Sequence, residues 1–91
     1  MGVWSSERYK ASSEKVLNLL KEIKNTGNLP EKGDYNYYVI YGTGECRIIE
    51  LPQESFENIK DEIMNFPFIK VIREYEIGYN FYESALIKVC L

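Results

Sequence analysis

Histidine is absent from this 91-residue chain. The absence removes the commonest general base and metal ligand, together with any nucleophilic site that pairs Ser or Cys with His. Cysteine occurs only at Cys46 and Cys90, without the closely spaced pair that a zinc site uses. We therefore expect a protein that is not an enzyme and that uses neither a metal nor a cofactor.

The two cysteines lie in separate β-rich runs of the sequence. No cluster of Lys or Arg flanks either one, so neither has the electropositive setting of a reactive thiol. We expect Cys46 and Cys90 to be buried free thiols. The alternative is a disulfide between them, which requires the second and fourth predicted strands to be neighbours in the sheet.

Long apolar stretches and excess positive charge are also missing. No run of about 18 apolar residues is present, and the first ten residues lack the apolar segment of a secretory signal. Lys and Arg number 11 against 14 Asp and Glu, and the acidic excess lies in residues 36–91. We expect a cytoplasmic protein without membrane contact, and the charge balance argues against a nucleic-acid partner.

The composition that remains is typical of a small globular protein. Hydrophobic residues make up 45% and charged residues 27% of the chain, and its length predicts a single domain over residues 1–91. Its centre is a predicted β-hairpin in which Gly42-Thr43-Gly44 joins Tyr35–Tyr41 to Cys46–Leu51. With Thr43-Gly44 as a two-residue turn, Val39 opposes Ile48.

Two amphipathic helices are predicted on either side of this hairpin. The first starts at Ser6 or Ser12 and ends at Asn25, before Gly27. The second starts near Pro52 and ends at the Asn65-Phe66-Pro67 sequence. Apolar residues at helical spacing mark their buried faces: Val16, Leu19, Leu20 and Ile23 in the first helix, and Phe56, Ile59 and Ile63 in the second.

Two further strands follow, Phe68–Ile77 and Phe81–Cys90. Strict alternation places Ile69, Val71, Tyr75 and Ile77 on one face of the third strand, and Ala85, Ile87 and Val89 on one face of the fourth. The order α-β-β-α-β-β predicts an α+β fold with a four-stranded, mainly antiparallel sheet and two helices on one face. The helices match at an offset of 40, as at Asn18 and Asn58, so a tandem αββ repeat over 12–51 and 52–91 is possible.

Two surfaces are candidates for partner binding. Tyr37, Tyr38 and Tyr41 belong to a set of aromatic residues that is larger than one helix-covered sheet face can hold. They suit core packing, a protein contact that includes self-association, or base stacking. Glu54, Glu57 and Asp61 form an acidic stripe on the second helix, which is either a solvated face or a docking surface for a basic partner.

The leading hypothesis is a small protein-binding module, homodimeric, that acts as an inhibitor or adaptor through its acidic and Tyr-rich surfaces. One version is a viral or mobile-element protein that blocks a nucleic-acid-binding target. The alternative is a single-stranded nucleic-acid-binding module that uses sheet tyrosines with Arg47, Lys70, Arg73 and Lys88 beside them. A more remote alternative is a metal-dependent enzyme that uses acidic residues.

Overall fold

The computed structural model describes residues 4–42, 44–78 and 82–91. Its strands form one antiparallel sheet. The predicted α+β class is confirmed, with five strands in place of the predicted four. Thr43 of the predicted hairpin turn and Phe81 of the predicted fourth strand lie outside the described residues. The elements are α1 (Ser6–Thr26), β1 (Gly33–Asp34), β2 (Val39–Tyr41), β3 (Cys46–Pro52), α2 (Gln53–Ile63), β4 (Ile69–Glu76) and β5 (Ser84–Cys90). The strand order across the sheet is β1-β2-β3-β5-β4.

α1 takes the earlier of its two predicted starts. The Ser5 side chain accepts a hydrogen bond from the Arg8 backbone N–H at 3.2 Å, which satisfies a donor that the helix leaves unpaired. At the other end Gly27 has a φ of 70°, and its N–H donates to the Ile23 carbonyl at 2.8 Å. The predicted apolar stripe packs into the core, fully at Val16, Leu20 and Ile23 and partly at Leu19.

α2 follows β3 without a connecting loop. Pro52 is the last residue of β3 and also the N-cap of the helix, with a φ of −59° that the proline ring itself imposes. The predicted apolar face of Phe56, Ile59 and Ile63 is buried. Within the described residues, neither α1 nor α2 is long and apolar enough to cross a membrane.

β1 is the strand that sequence analysis missed, because it lies in the predicted connector. Gly33 and Asp34 pair with Ile40 and Val39. The chain reverses between them through Asn36, which takes a φ of 72° and donates its N–H to the Asp34 carboxylate at 2.9 Å. This turn occupies most of the predicted strand Tyr35–Tyr41, which is therefore wrong: only Val39–Tyr41 is β2.

β2 and β3 pair in a register two residues away from the predicted one. Tyr41 opposes Ile48 and Val39 opposes Glu50. The connection is longer than a two-residue turn, and Gly42 within it has a φ of 121° that few L-residues adopt. Because the shift is an even number of residues, Val39, Tyr41 and Ile48 remain on one face of the hairpin.

β4 does not alternate strictly, in contrast to the prediction. Its register against β5 shifts between Ile69 and Val71 and again between Arg73 and Glu76, as in β-bulges. Ile69 and Ile72 both pack against the core, whereas Val71 is 45% exposed. The predicted face shared by Ile69 and Val71 is therefore wrong, because the irregularity between them changes the direction of the side chains.

A single core joins the two helices to alternate residues of β2, β3 and β5. α1 and α2 also meet through small polar residues: the Ser13 hydroxyl donates to the Ser55 carbonyl at 2.7 Å, and the Ser55 hydroxyl to the Tyr9 carbonyl at 3.0 Å. These buried hydroxyls let the helix backbones approach closely without leaving unpaired polar groups. The strand residues of the core are Ile40, Ile49, Leu51, Ala85, Ile87 and Val89.

Cys46 and Cys90 form a disulfide. They are register partners on β3 and β5, with their Cα atoms 4.1 Å apart. The expectation of free thiols is wrong, and the alternative pairing is correct. The decision between free thiols and a disulfide depended on the strand order. The two cysteines meet because β3 and β5 are neighbours in the sheet.

Candidate functional site on the Tyr41 face of the sheet

Side chains that alternate with the core residues along the strands form a second face of the sheet. One row across this face runs from Tyr41 on β2 through Ile48 on β3 and Lys88 on β5 to Val71 on β4. A second row contributes Val39, Glu50, Leu86 and Arg73. We call this surface, made of the eight residues in the two rows, the Tyr41 face.

The centre of the Tyr41 face is apolar and accessible to solvent. Tyr41 is 37% exposed, and Ile48 and Leu86 are half-buried beside the exposed Val71. Ile48, Val71 and Leu86, together with Arg73 and Lys88, line a groove of about 270 Å³. Because a groove of this size is below the range of about 300–1,000 Å³ that is typical of small-molecule sites, the surface suits a protein contact better than an enclosed substrate.

Glu50 is a buried acidic residue of this face, and it is only 1% exposed. The Tyr41 hydroxyl donates to one of its carboxylate oxygens at 3.2 Å, and the Ser84 hydroxyl donates to the other at 3.1 Å. Gly78 closes the cluster, because a Cβ at that position would overlap the Glu50 carboxylate and the Ser84 side chain. The buried carboxylate thus holds the Tyr41 ring in place at the edge of the apolar centre.

The environment of Tyr41 keeps its hydroxyl protonated. Burial raises its pKa to about 12, and the negative charge of Glu50 and the hydrogen bond between the two side chains act in the same direction. At neutral pH the hydroxyl therefore remains a hydrogen-bond donor, and the Glu50 contact is maintained.

Arg73 and Lys88 supply positive charge beside the apolar centre. Within the described part of the chain, neither side chain forms an ion pair or a hydrogen bond. The ion pair found there joins Lys60 and Glu74 at 3.3 Å, on a different part of the surface. Two cations on the Tyr41 face are therefore available to an external carboxylate.

Of the three tyrosines proposed as partner-binding residues, Tyr41 lies on this face. Tyr37 and Tyr38 lie in the turn between β1 and β2, because the chain reverses at Asn36. Tyr38 packs against the core, and the Tyr37 carbonyl accepts a hydrogen bond from the Ser12 hydroxyl of α1 at 2.8 Å. Tyr37 and Tyr38 therefore do not share the sheet face of Tyr41.

The acidic stripe of α2 is on the surface, but its members differ in their surroundings. Glu54 and Asp61 are exposed. Glu57 accepts hydrogen bonds from the Tyr75 hydroxyl at 2.7 Å and the Gln53 amide at 3.3 Å, and these bonds lower its pKa. The docking role of the stripe stays a prediction, and Glu57 has an additional structural role.

Gln53 and Tyr75 form a polar junction that sequence analysis did not find. The buried Gln53 side chain accepts a hydrogen bond from the Tyr75 N–H at 2.9 Å and donates to Glu74 at 3.1 Å. Tyr75 has a φ of 61°, a conformation that L-residues rarely adopt. The junction holds the irregular end of β4 against the start of α2.

The described residues contain no group of three or more Cys, Asp or Glu side chains that could hold a metal ion. The chain was also compared with protein-family models, curated proteins and solved structures, and none of these comparisons found a match. The proposals below therefore depend on the geometry of this chain.

Proposed function

We propose that the chain is a non-enzymatic protein-binding module that forms a homodimer through the Tyr41 face. The observation that carries this proposal is the contiguous, partly exposed apolar centre formed by Tyr41, Ile48, Val71 and Leu86. Single exposed apolar side chains are ordinary, whereas a contiguous patch with a charged border is typical of a protein contact.

We also infer that α1 and α2 both cover the opposite face of the sheet, which leaves the Tyr41 face to a partner. The buried residues of both helices belong to the same core cluster as Ile49 and Ile87. None of the aliphatic residues of the Tyr41 face belongs to that cluster. The two helices also contact each other, which is the arrangement expected when they lie side by side on one sheet face.

A second copy of this chain is the proposed partner because the surface is complementary to itself in charge. Arg73 pairs with Leu86 in the sheet register, and Glu76 pairs with Ser84, so both charges lie toward the same side of the sheet. A two-fold contact places Arg73 of one copy against Glu76 of the other and repeats the pair across the axis. The Lys88 stem adds methylene surface, and its ammonium group extends to the solvated border.

The edge strand β4 does not favour a dimer in which two sheets join edge to edge. Its two register shifts interrupt the regular row of backbone donors and acceptors that such pairing needs. Charged residues such as Lys70 and Arg73 lie along the same strand. These features favour a face-to-face contact over pairing at the β4 edge.

Solution mass tests the proposal first. Light scattering over a concentration series should give a mass near twice 10.7 kDa that persists at high salt, because the apolar centre supplies most of the contact. A monomer at every concentration would overturn the homodimer.

A charge exchange tests the geometry of the contact. Arg73→Glu and Glu76→Arg should each weaken the dimer, because each places like charges together across the axis. An equal mixture of the two variants should recover the dimer mass, and so should the double variant, since both restore opposite charges. Lys24→Glu on α1 is the control for a change in net charge away from the face. If Arg73→Glu leaves the mass unchanged, the proposed pairing is wrong.

A further inference from the structure

A second surface lies on the other side of the molecule, between α1 and the turn that joins β1 to β2. It is an open groove of about 760 Å³. Its lining combines lysine, asparagine and tyrosine side chains, in contrast to the aliphatic centre of the Tyr41 face. The residues that matter for its chemistry are Lys15, Asn18, Lys21, Tyr35, Tyr37 and Tyr38.

The tyrosines provide an accessible aromatic surface in this groove. The rings of Tyr35 and Tyr38 are stacked, with centroids 5.1 Å apart and planes inclined by 15°. Tyr38 is anchored against the core, and Tyr35 is 37% exposed. The Tyr35 hydroxyl donates to the Glu31 carbonyl at 2.7 Å, which fixes the ring. A planar ligand group can therefore extend a stack that is already in place.

Cations of α1 are held next to the same tyrosine turn. The Arg8 guanidinium lies 4.3 Å from the Trp4 ring centroid and 5.0 Å from that of Tyr37, and it donates to the Asn36 carbonyl at 3.1 Å. The Lys15 ammonium lies 5.3 Å from the centroid of the Tyr37 ring. These contacts hold positive charge beside the aromatic turn before any ligand arrives.

The acidic net charge of the chain does not extend to this groove. α1 carries five Lys or Arg against three Glu, whereas α2 carries one Lys against four Asp or Glu. Glu22 is the acidic residue that lines the groove, beside Lys15 and Lys21. Arg8, Lys15 and Lys21 therefore give this side of the molecule a local positive charge.

We propose that this groove binds a single-stranded nucleic acid. A base stacks on Tyr35, and the phosphates on either side of it contact Arg8, Lys15 and Lys21. Aromatic stacking together with cations along the backbone is the chemistry that single-strand binding uses without strong sequence preference. The proposal does not depend on the homodimer, because it uses α1 and the tyrosine turn in place of the Tyr41 face.

Fluorescence anisotropy with a labelled oligonucleotide of 12 deoxythymidines tests the proposal in the full chain. Three neutralised phosphates predict a slope of about −2 in a plot of log affinity against log salt concentration, or about a 15-fold loss between 50 and 200 mM NaCl. Absence of binding at 50 mM NaCl would overturn the proposal. Equal affinity for a single deoxythymidine monophosphate would also overturn it, because the groove would then be a mononucleotide site.

Paired variants of α1 show whether the groove is the site. Lys15→Glu with Lys21→Glu should weaken oligonucleotide binding at least about 10-fold, because two phosphate contacts become repulsive. Lys10→Glu with Lys24→Glu makes the same change in net charge on the same helix, but outside the groove, and should change the affinity less than about 2-fold. Equal loss in both pairs would mean general charge attraction and would overturn the assigned site.

The tyrosine tests the stacking part of the proposal. Tyr35→Ser should weaken binding by about 5-fold or more, whereas Tyr35→Phe should retain it because the ring remains. Thermal unfolding followed by circular dichroism confirms that each variant is folded. If Tyr35→Ser binds like the unchanged chain, stacking on this residue is wrong.

Arg73→Glu should not affect the oligonucleotide affinity, because Arg73 lies on the Tyr41 face and not in the groove. Failure of this proposal and failure of the homodimer are therefore distinguishable.

Discussion

Tyr41 belongs both to the proposed contact surface and to the buried polar cluster beneath it. Its ring is part of the apolar centre, while its hydroxyl hydrogen-bonds the buried Glu50 carboxylate. A tyrosine suits this position because one end of the side chain is apolar and the other donates a hydrogen bond. The orientation of the exposed ring is therefore set from inside the protein.

This arrangement predicts a loss of stability at high pH. The folded state keeps the Tyr41 proton up to a pH of about 12, whereas the unfolded chain releases it near the ordinary pKa of about 10. The stabilising contribution is therefore complete below pH 10 and is lost as the pH rises through 12. Urea unfolding at several pH values between 9 and 12 should show the decline.

Tyr41→Phe is the variant that isolates this contribution. It removes the titrating group, so the free energy of unfolding should fall less steeply between pH 10 and 12 than in the unchanged chain. Tyr38 and Tyr75, whose pKa values are also raised, remain in both proteins and provide the common background. Identical pH profiles would show that Tyr41 does not titrate as proposed.

At the scale of elements, the junction between α2 and β4 shows how an irregular strand end is held in place. The bend at Tyr75 exposes a backbone N–H that cannot continue the regular ladder, and Gln53 accepts its hydrogen bond. The amide of the same side chain donates to Glu57 and Glu74. One side chain at the start of a helix thus connects three groups around the end of the edge strand.

Gln53→Ala should lower the free energy of unfolding by about 1–3 kcal/mol. The change removes a hydrogen-bond donor to two carboxylates and leaves the part-buried Tyr75 N–H without its acceptor, and a donor that loses its partner away from water costs about this much. The measurement is urea unfolding followed by circular dichroism. Glu54→Ala, one position further along and exposed, is the control and should change stability by less than about 0.5 kcal/mol. Equal effects of the two substitutions would show that the junction is not stabilising.

The helices were the elements that the sequence predicted best. Val16, Leu20 and Ile23 have the spacing of one helix face, and Gly27 is a signal for the end of a helix. Both features indicate the same helix, so the sequence leaves few alternatives to α1 in this segment. β1 escaped detection because Gly33 and Asp34 are poor strand formers, and tertiary pairing with β2 overrides that tendency.

The sheet surface was harder to predict than the helices. Ile69 and Ile72 both pack against the core, although they are three positions apart in β4. A regular strand places residues at that spacing on opposite faces, so the alternation fails between them. Val71 was placed on the wrong face as a result. The β-rich composition predicted that Tyr37 and Tyr38 belong to a strand. They lie instead in the turn before β2, because the chain reverses at Asn36.

At the scale of the whole molecule, the disulfide joins Cys46 to Cys90, which are 44 positions apart in the sequence. A cytoplasmic location was expected from the sequence, and it remains a prediction. Disulfides persist mainly in oxidising compartments, and inside cells chiefly in hyperthermophiles. The bond therefore favours either an oxidising location or a cytoplasm of that kind. Alkylation of free thiols in the native cells, followed by mass spectrometry, tests this location. Unmodified Cys46 and Cys90 would support an oxidising location or such a cytoplasm, whereas alkylated cysteines would indicate a reducing cytoplasm.

Reduction of the disulfide should lower the free energy of unfolding by about 2–4 kcal/mol, because the unfolded chain gains conformational freedom when a long loop opens. Urea unfolding with and without a phosphine reductant measures the difference. A variant with both Cys46→Ser and Cys90→Ser is the control, and the reductant should leave its stability unchanged. An equal effect of the reductant on both proteins would show that it acts elsewhere.

The same bond closes part of the chain into a covalent ring. Residues 46–90 form this ring, which contains β3, α2, β4 and β5, while α1, β1 and β2 belong to an open tail that precedes it. A protease that cuts once after Lys60, within the ring, leaves a single covalent molecule until the disulfide is reduced. One cut after the exposed Lys32, in the tail, separates two pieces at once. A nick in α2 is thus concealed on a non-reducing gel, whereas a nick before β1 is visible immediately.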